Sequence, residues 1–211
     1  MTWFKCMGGS APAPVETPSL ELKYQNGTTG ATTYTVDEDG LYLIAVTFSL
    51  GGSGSITLPA GRTAAYSNDF IMTDAQSREK GTKIAVVSLE TGDVVTLTTA
   101  VGAWTAHGKA IFKLPFSVTS LVDSTTASDV VCNYTLGTGS GTVLCIMSTW
   151  ARQANGTNLY DYSSIGSDVD MLAGMIGVNT LYRIFTCDTS DFPAINTKGY
   201  DGGGTVVAVL Q

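Results

Sequence analysis

The chain has 211 residues, a formal net charge of −7, 14% charged side chains and 44% hydrophobic ones. The acidic balance excludes the basic footprint of a nucleic-acid binder and attraction to an anionic membrane surface. The apolar content excludes wholesale disorder, and no apolar run reaches the roughly 18 residues of a membrane helix.

Residues 1–19 read as an extended arm. Trp3 and Phe4 precede a flexible Gly8-Gly9-Ser10, and Pro12, Pro14 and Pro18 favour polyproline II over ladder pairing. Lys5 has no apolar segment behind it, so no secretory signal is expected. The arm is either a plain leader or a peptide whose Trp3 and Phe4 anchor into a partner.

From Leu20 the chain alternates like a strand. Asn26-Gly27 marks a turn, and 31–36 reads as a short strand. The acidic turn Asp37-Glu38-Asp39-Gly40 then feeds one long strand to Leu50. Its bulkier set, Tyr42, Ile44, Val46, Phe48 and Leu50, is the expected core face. Pro59 halts a short strand at 56–58. Residues 66–80 read as a polar loop, and 83–99 as a hairpin around Glu90-Thr91-Gly92-Asp93, where glycine suits φ > 0. His107 falls in a loop, where a lone histidine is expected to be solvated, and 110–114 closes the unit before Pro115.

The second half repeats this plan. Strands are expected at 130–135, 142–150, 171–176, 181–187 and 205–210, with a polar loop at 151–168. A hairpin at 170–186 is matched to the one at 83–99. Residues 20–115 and 116–211 are both 96 residues long, which makes duplication a hypothesis beside shared β periodicity. The expectation is an all-β protein: two tandem antiparallel β-sandwich, jelly-roll-like domains, 20–115 and 116–211, behind the arm 1–19.

Little here supports catalysis. There is one histidine and no nucleophile elbow, so no enzyme, cofactor or metal site is expected. Asp37-Glu38-Asp39 lacks a calcium-loop frame and reads as turn chemistry. Asp168 and Asp170 share a strand face, which makes no glycosidase cleft. Cys132, Cys145 and Cys187 read as buried free thiols of a chain made in a reducing cytoplasm, the alternative being a Cys132–Cys145 bridge across a hairpin. Aromatic residues in loops are the better candidates: Tyr66, Phe70, Trp104, Trp150, Tyr160 and Tyr162. Such platforms hold sugars by stacking, or else plug sandwich ends and subunit contacts. The binding residues singled out are Trp150, Asn155, Asn158, Tyr160, Asp161 and Tyr162.

The run Gly40–Val46 after an acidic turn, with the spacing Leu89, Gly92, Asp93 and Val95, resembles the jelly-roll frame of C1q and tumour-necrosis-factor-like domains. The resemblance spans about 33–114. The second half departs from it, with Gly177-Val178-Asn179 in place of Gly-Asp. It implies a homo-oligomer, a trimer by preference. The opening MTWFKCMGG before a proline-rich linker resembles short N-terminal tags of virion proteins from phages of Gram-positive bacteria. That implies a phage structural protein made in the host cytoplasm and residing in the virion. It would be a tail or receptor-binding component, or a capsid decoration or head fibre. Its partners would be other virion proteins through the arm, and a host-surface glycan where it meets the cell. Nucleic acid and membrane insertion are not expected. The alternative is a carbohydrate-binding module of a bacterial surface protein.

Overall fold

The computed structural model describes residues 21–48, 51–73, 77–100 and 107–114 with their side chains, and eight further strands between 121 and 210 by their backbone pairing. Every described element is a strand, and all ladders are antiparallel. The strands of the first half are β1 (Glu21–Asn26), β2 (Gly30–Thr35), β3 (Gly40–Phe48), β4 (Ser53–Thr57), β5 (Tyr66–Thr73), β6 (Glu79–Leu89), β7 (Val94–Ala100) and β8 (His107–Leu114). They form two sheets, ordered β1-β8-β3-β6-β5 and β2-β7-β4.

β3 is central because nearly every residue in it can be buried. Tyr42, Ile44, Val46 and Phe48 lie opposite Val87, Ala85, Lys83 and Gly81 of β6. The first three join Val36, Val87, Leu89 and Ile111 in a core closed from the smaller sheet by Val95 and Leu97. Each buried side chain of this size contributes about 1.5–3 kcal/mol. The expected core face of β3 is therefore the observed one over the described residues. Its other face is buried as well: Leu43, Ala45 and Thr47 are closed from solvent, as are Val86 and Phe112 beside them.

Three expectations are corrected. The hairpin expected at 83–99 is not one, because β6 and β7 lie in different sheets. Residues 90–93 form a corner across the sandwich, with Gly92 at φ +93° and Asp93 N–H donating to the Glu90 carbonyl at 3.0 Å. The loop expected at 66–80 is mostly strand, since Tyr66–Thr73 pairs with Glu79–Val86. Its polar residues alternate with larger ones on an edge strand, and edge strands tolerate that mixture.

The second half contains β9 (Leu121–Ser128), β10 (Val131–Tyr134), β11 (Thr142–Trp150), β12 (Asp161–Ser164), β13 (Asp170–Gly177), β14 (Thr180–Asp188), β15 (Ile195–Lys198) and β16 (Gly204–Leu210). Its sheet orders are β13-β14-β11-β16-β9 and β10-β15-β12. Adding eight to each strand number of the first half reproduces both orders. The paired β13 and β14 thus correspond to β5 and β6, not to the 83–99 segment. The third correction is β12, a strand inside the expected loop at 151–168.

Candidate functional site

At one end of the first sandwich the two corners that cross between sheets lie side by side. Val36 N–H donates to the Asp93 carbonyl at 2.9 Å, and Gly92 N–H to the Val36 carbonyl at 2.9 Å. Asp39 Oδ1 accepts from both the backbone N–H and the hydroxyl of Thr91, at 2.8 and 2.9 Å. Arg62 reaches Asp93 at 2.7 Å and Glu90 at 2.8 Å. Lys23 pairs with Glu21 at 2.8 Å and Glu38 at 2.5 Å, while Lys113 meets Glu38 at 2.7 Å. Tyr34 donates its hydroxyl to Asp37 at 2.9 Å.

These partners hold the acids below the ordinary carboxylate range. Asp37 is lowered first by the Tyr34 hydroxyl, Glu38 by Lys113 and then Lys23, and Asp39 by the Thr91 backbone. The acidic turn is thus a latch between two corners. Most of its carboxylate oxygens are committed to cations, hydroxyls and amides of the same end, and no metal-ligating cluster occurs among the described residues.

The opposite end holds what sequence reading missed. His107 is not solvated: it opens β8 opposite Phe48 and is only 6% exposed. Neither ring nitrogen makes a hydrogen bond of full geometry among the described residues, although the Gly27 backbone lies within electrostatic reach. Burial lowers its pKa from the ordinary 6.5, with the Gly27 backbone countering part of that and Lys109 adding to it. Lys109, two residues on along the same face, is fully buried, and its Nζ donates to the Gly30 carbonyl at 2.6 Å. Burial alone pulls its pKa down. The apolar run Ala110, Phe112 and Leu114 was the visible signal of a strand, and nothing in the sequence marked the face that carries the histidine and lysine as buried.

A cleft of about 330 Å³ opens where β4 and β5 fail to pair. Ile56, Leu58, Ala64 and Ala85 line it, and Lys83 meets Asp69 at 2.5 Å on its wall. This volume sits at the lower end of ligand pockets. The cleft combines an apolar floor with one charged pair, which suits an apolar side chain.

The expected binding residues are divided. Trp150 ends β11, the central strand of its five-stranded sheet, opposite Thr180 and Gly204. Asp161 and Tyr162 begin β12 at the edge of the three-stranded sheet, where Asp161 pairs with Lys198. The strands that carry them therefore belong to separate sheets. Asn155, Asn158, Tyr160, Trp104, Asp168, Trp3 and Phe4 lie outside the described residues. Tyr66 and Phe70 belong to β5, not to a loop. Cys132 lies on β10 and Cys145 on β11, strands of different sheets, so the hairpin that would have carried a bridge is not formed. No family model, curated protein or solved structure matches the chain.

Proposed function

We propose that this chain is a non-enzymatic structural component of a phage virion, docked by residues 1–19, with two tandem jelly-roll domains projecting from the particle. The observation that carries the reading is the repeated eight-strand order. In each half, strands pair as though one long hairpin had been rolled up: first with eighth, second with seventh, third with sixth. That order supports a jelly-roll reading, modified where the fifth strand pairs with the sixth rather than the fourth. A doubled frame with few charges is suited to building and spacing an assembly. The ion pairs at 36–39 and 90–93 serve the frame itself.

The role is either tail and receptor-binding or capsid decoration and head fibre. Copies associate as a homo-oligomer, a trimer if the C1q-like resemblance extends to assembly. Where such a particle meets a cell, Tyr160, Asp161 and Tyr162 are the glycan-binding candidates, since β12 begins at an open sheet edge. Stacking on one tyrosine contributes only about 1 kcal/mol, so useful affinity comes from several copies together.

Mass spectrometry of gradient-purified virions from an infected host tests the assignment. The chain is expected at fixed stoichiometry to the major capsid protein. Its absence from particles, with accumulation in the lysate or on the bacterial surface, refutes the virion role and favours the carbohydrate-binding alternative.

A further inference from the structure

The five-stranded sheet of the first half has two apolar faces, and the smaller sheet covers only one. On the other face Leu43, Ala45, Ile84, Val86, Ala110 and Phe112 are all buried. An apolar area of that kind does not stay wet in a monomer. Strands buried on both faces are near-continuous apolar runs, as Gly40–Phe48 is.

The strands that approach this sheet from the second half do so in a definite order. β3 meets β11, β5 meets β9, β1 meets β13, β6 meets β16, and β8 meets both β13 and β14. By the repeated sheet order, β9 corresponds to β1, β11 to β3, β13 to β5, β14 to β6 and β16 to β8. The central strand therefore meets its own equivalent. Strand one meets the equivalent of strand five, and strand five that of strand one. Strands six and eight exchange in the same way. Reciprocal exchange of this kind is the signature of an isologous, twofold contact.

We propose that the two halves are paired by a pseudo-twofold axis passing between β3 and β11, so that one polypeptide contains the interface of a symmetric dimer. The partner for this apolar sheet face is the chain's own second half. Assembly of further copies must then use other surfaces. The inference rests on the tandem-domain reading above, but not on residence in a virion.

Two positions on this face, at opposite edges of the sheet, test it in the full-length chain. Leu22 of β1 is 37% exposed and tolerates a larger group, and Phe70, itself buried, lies on the edge strand β5. Each is exchanged for p-benzoyl-phenylalanine, the purified chain is irradiated, and the cross-linked peptides are mapped. Position 22 is expected to capture 170–177, and position 70 to capture 121–128, both within one chain. The uncrossed pattern, capture of a second copy as a covalent dimer, or no capture by either folded variant overturns the pairing. Hydrogen exchange of the chain carrying Val95→Ala, a core change remote from this face, supplies a second measurement. Loss of protection in β11 and β14 together with β3 is expected. Loss confined to the first half contradicts the shared interface. Neither failure bears on whether the chain is found in particles.

Discussion

At the residue scale, the most consequential side chains are His107, which the sequence reading placed in solvent, and Lys109, which it did not single out. A buried neutral histidine costs stability when it must accept a proton. The folded pKa of His107 lies below its ordinary 6.5, so the unfolded chain binds the proton first. Stability is full above about pH 6.5 and falls as pH drops from there toward the folded pKa. The acids Asp37, Glu38, Asp39, Glu90 and Asp93 are lowered too, so a second loss sets in below their ordinary values of 3.8 to 4.5. Urea midpoints measured from pH 8 to pH 3 are expected to show two descending steps. His107→Phe, close in shape, is expected to remove the upper step and to stabilise the protein by about 1 kcal/mol at pH 5. Unchanged pH dependence in that variant would assign the step to another group. Lys109 follows similar logic in the alkaline range. Its pKa is lowered, so the folded state gains stability as pH rises toward 10.5. Lys109→Met is expected to flatten that rise and raise the midpoint at pH 7, as apolar replacements of buried charges commonly do. A large drop in midpoint would mean that the bond to Gly30 outweighs the burial of the charge.

At the element scale, the fit between β5 and β6 depends on a missing side chain. A Cβ on Gly81 would collide with the Phe70 backbone carbonyl, which cannot yield without opening the ladder. Gly81→Ala is therefore expected to cost about 1–3 kcal/mol by overpacking. Alanine at Gly92 costs through φ instead, since that position sits at +93° with nothing near its Cβ. Thermal melts of both variants check this, and a Gly81→Ala melt matching the parent would mean that β5 is not held as described. These same elements mark how far the sequence could be read. Period-two alternation identified β3, β11 and residues 110–114 of β8 because their apolar content is unmistakable. It could not assign β6 and β7 to different sheets, because a corner and a hairpin share the turn residues Gly92-Asp93. It took β5 and β12 for loops because short edge strands carry polar residues as loops do. The inner face of β8 was not legible in the sequence for a different reason. With both faces of the sheet covered, the larger apolar set, Ala110, Phe112 and Leu114, lies on the face away from the small sheet.

At the scale of the whole molecule, the two halves were legible as equal lengths, but their shared strand order was not, because ladder order is not written in local periodicity. Which of the candidate binding residues share a surface was less legible than the fold. A search for exposed aromatics has no means of knowing which strand ends come together, and Trp150 and Tyr162 lie on strands of different sheets. The proposed docking of a pair of sandwiches onto a particle by residues 1–19 is tested most directly by co-sedimentation of the full chain and of residues 20–211 with virions stripped of the protein. Both chains are expected to give the same β-type circular dichroism and melting midpoint, with only the full chain pelleting with the particles. Equal binding by residues 20–211 would contradict the claim.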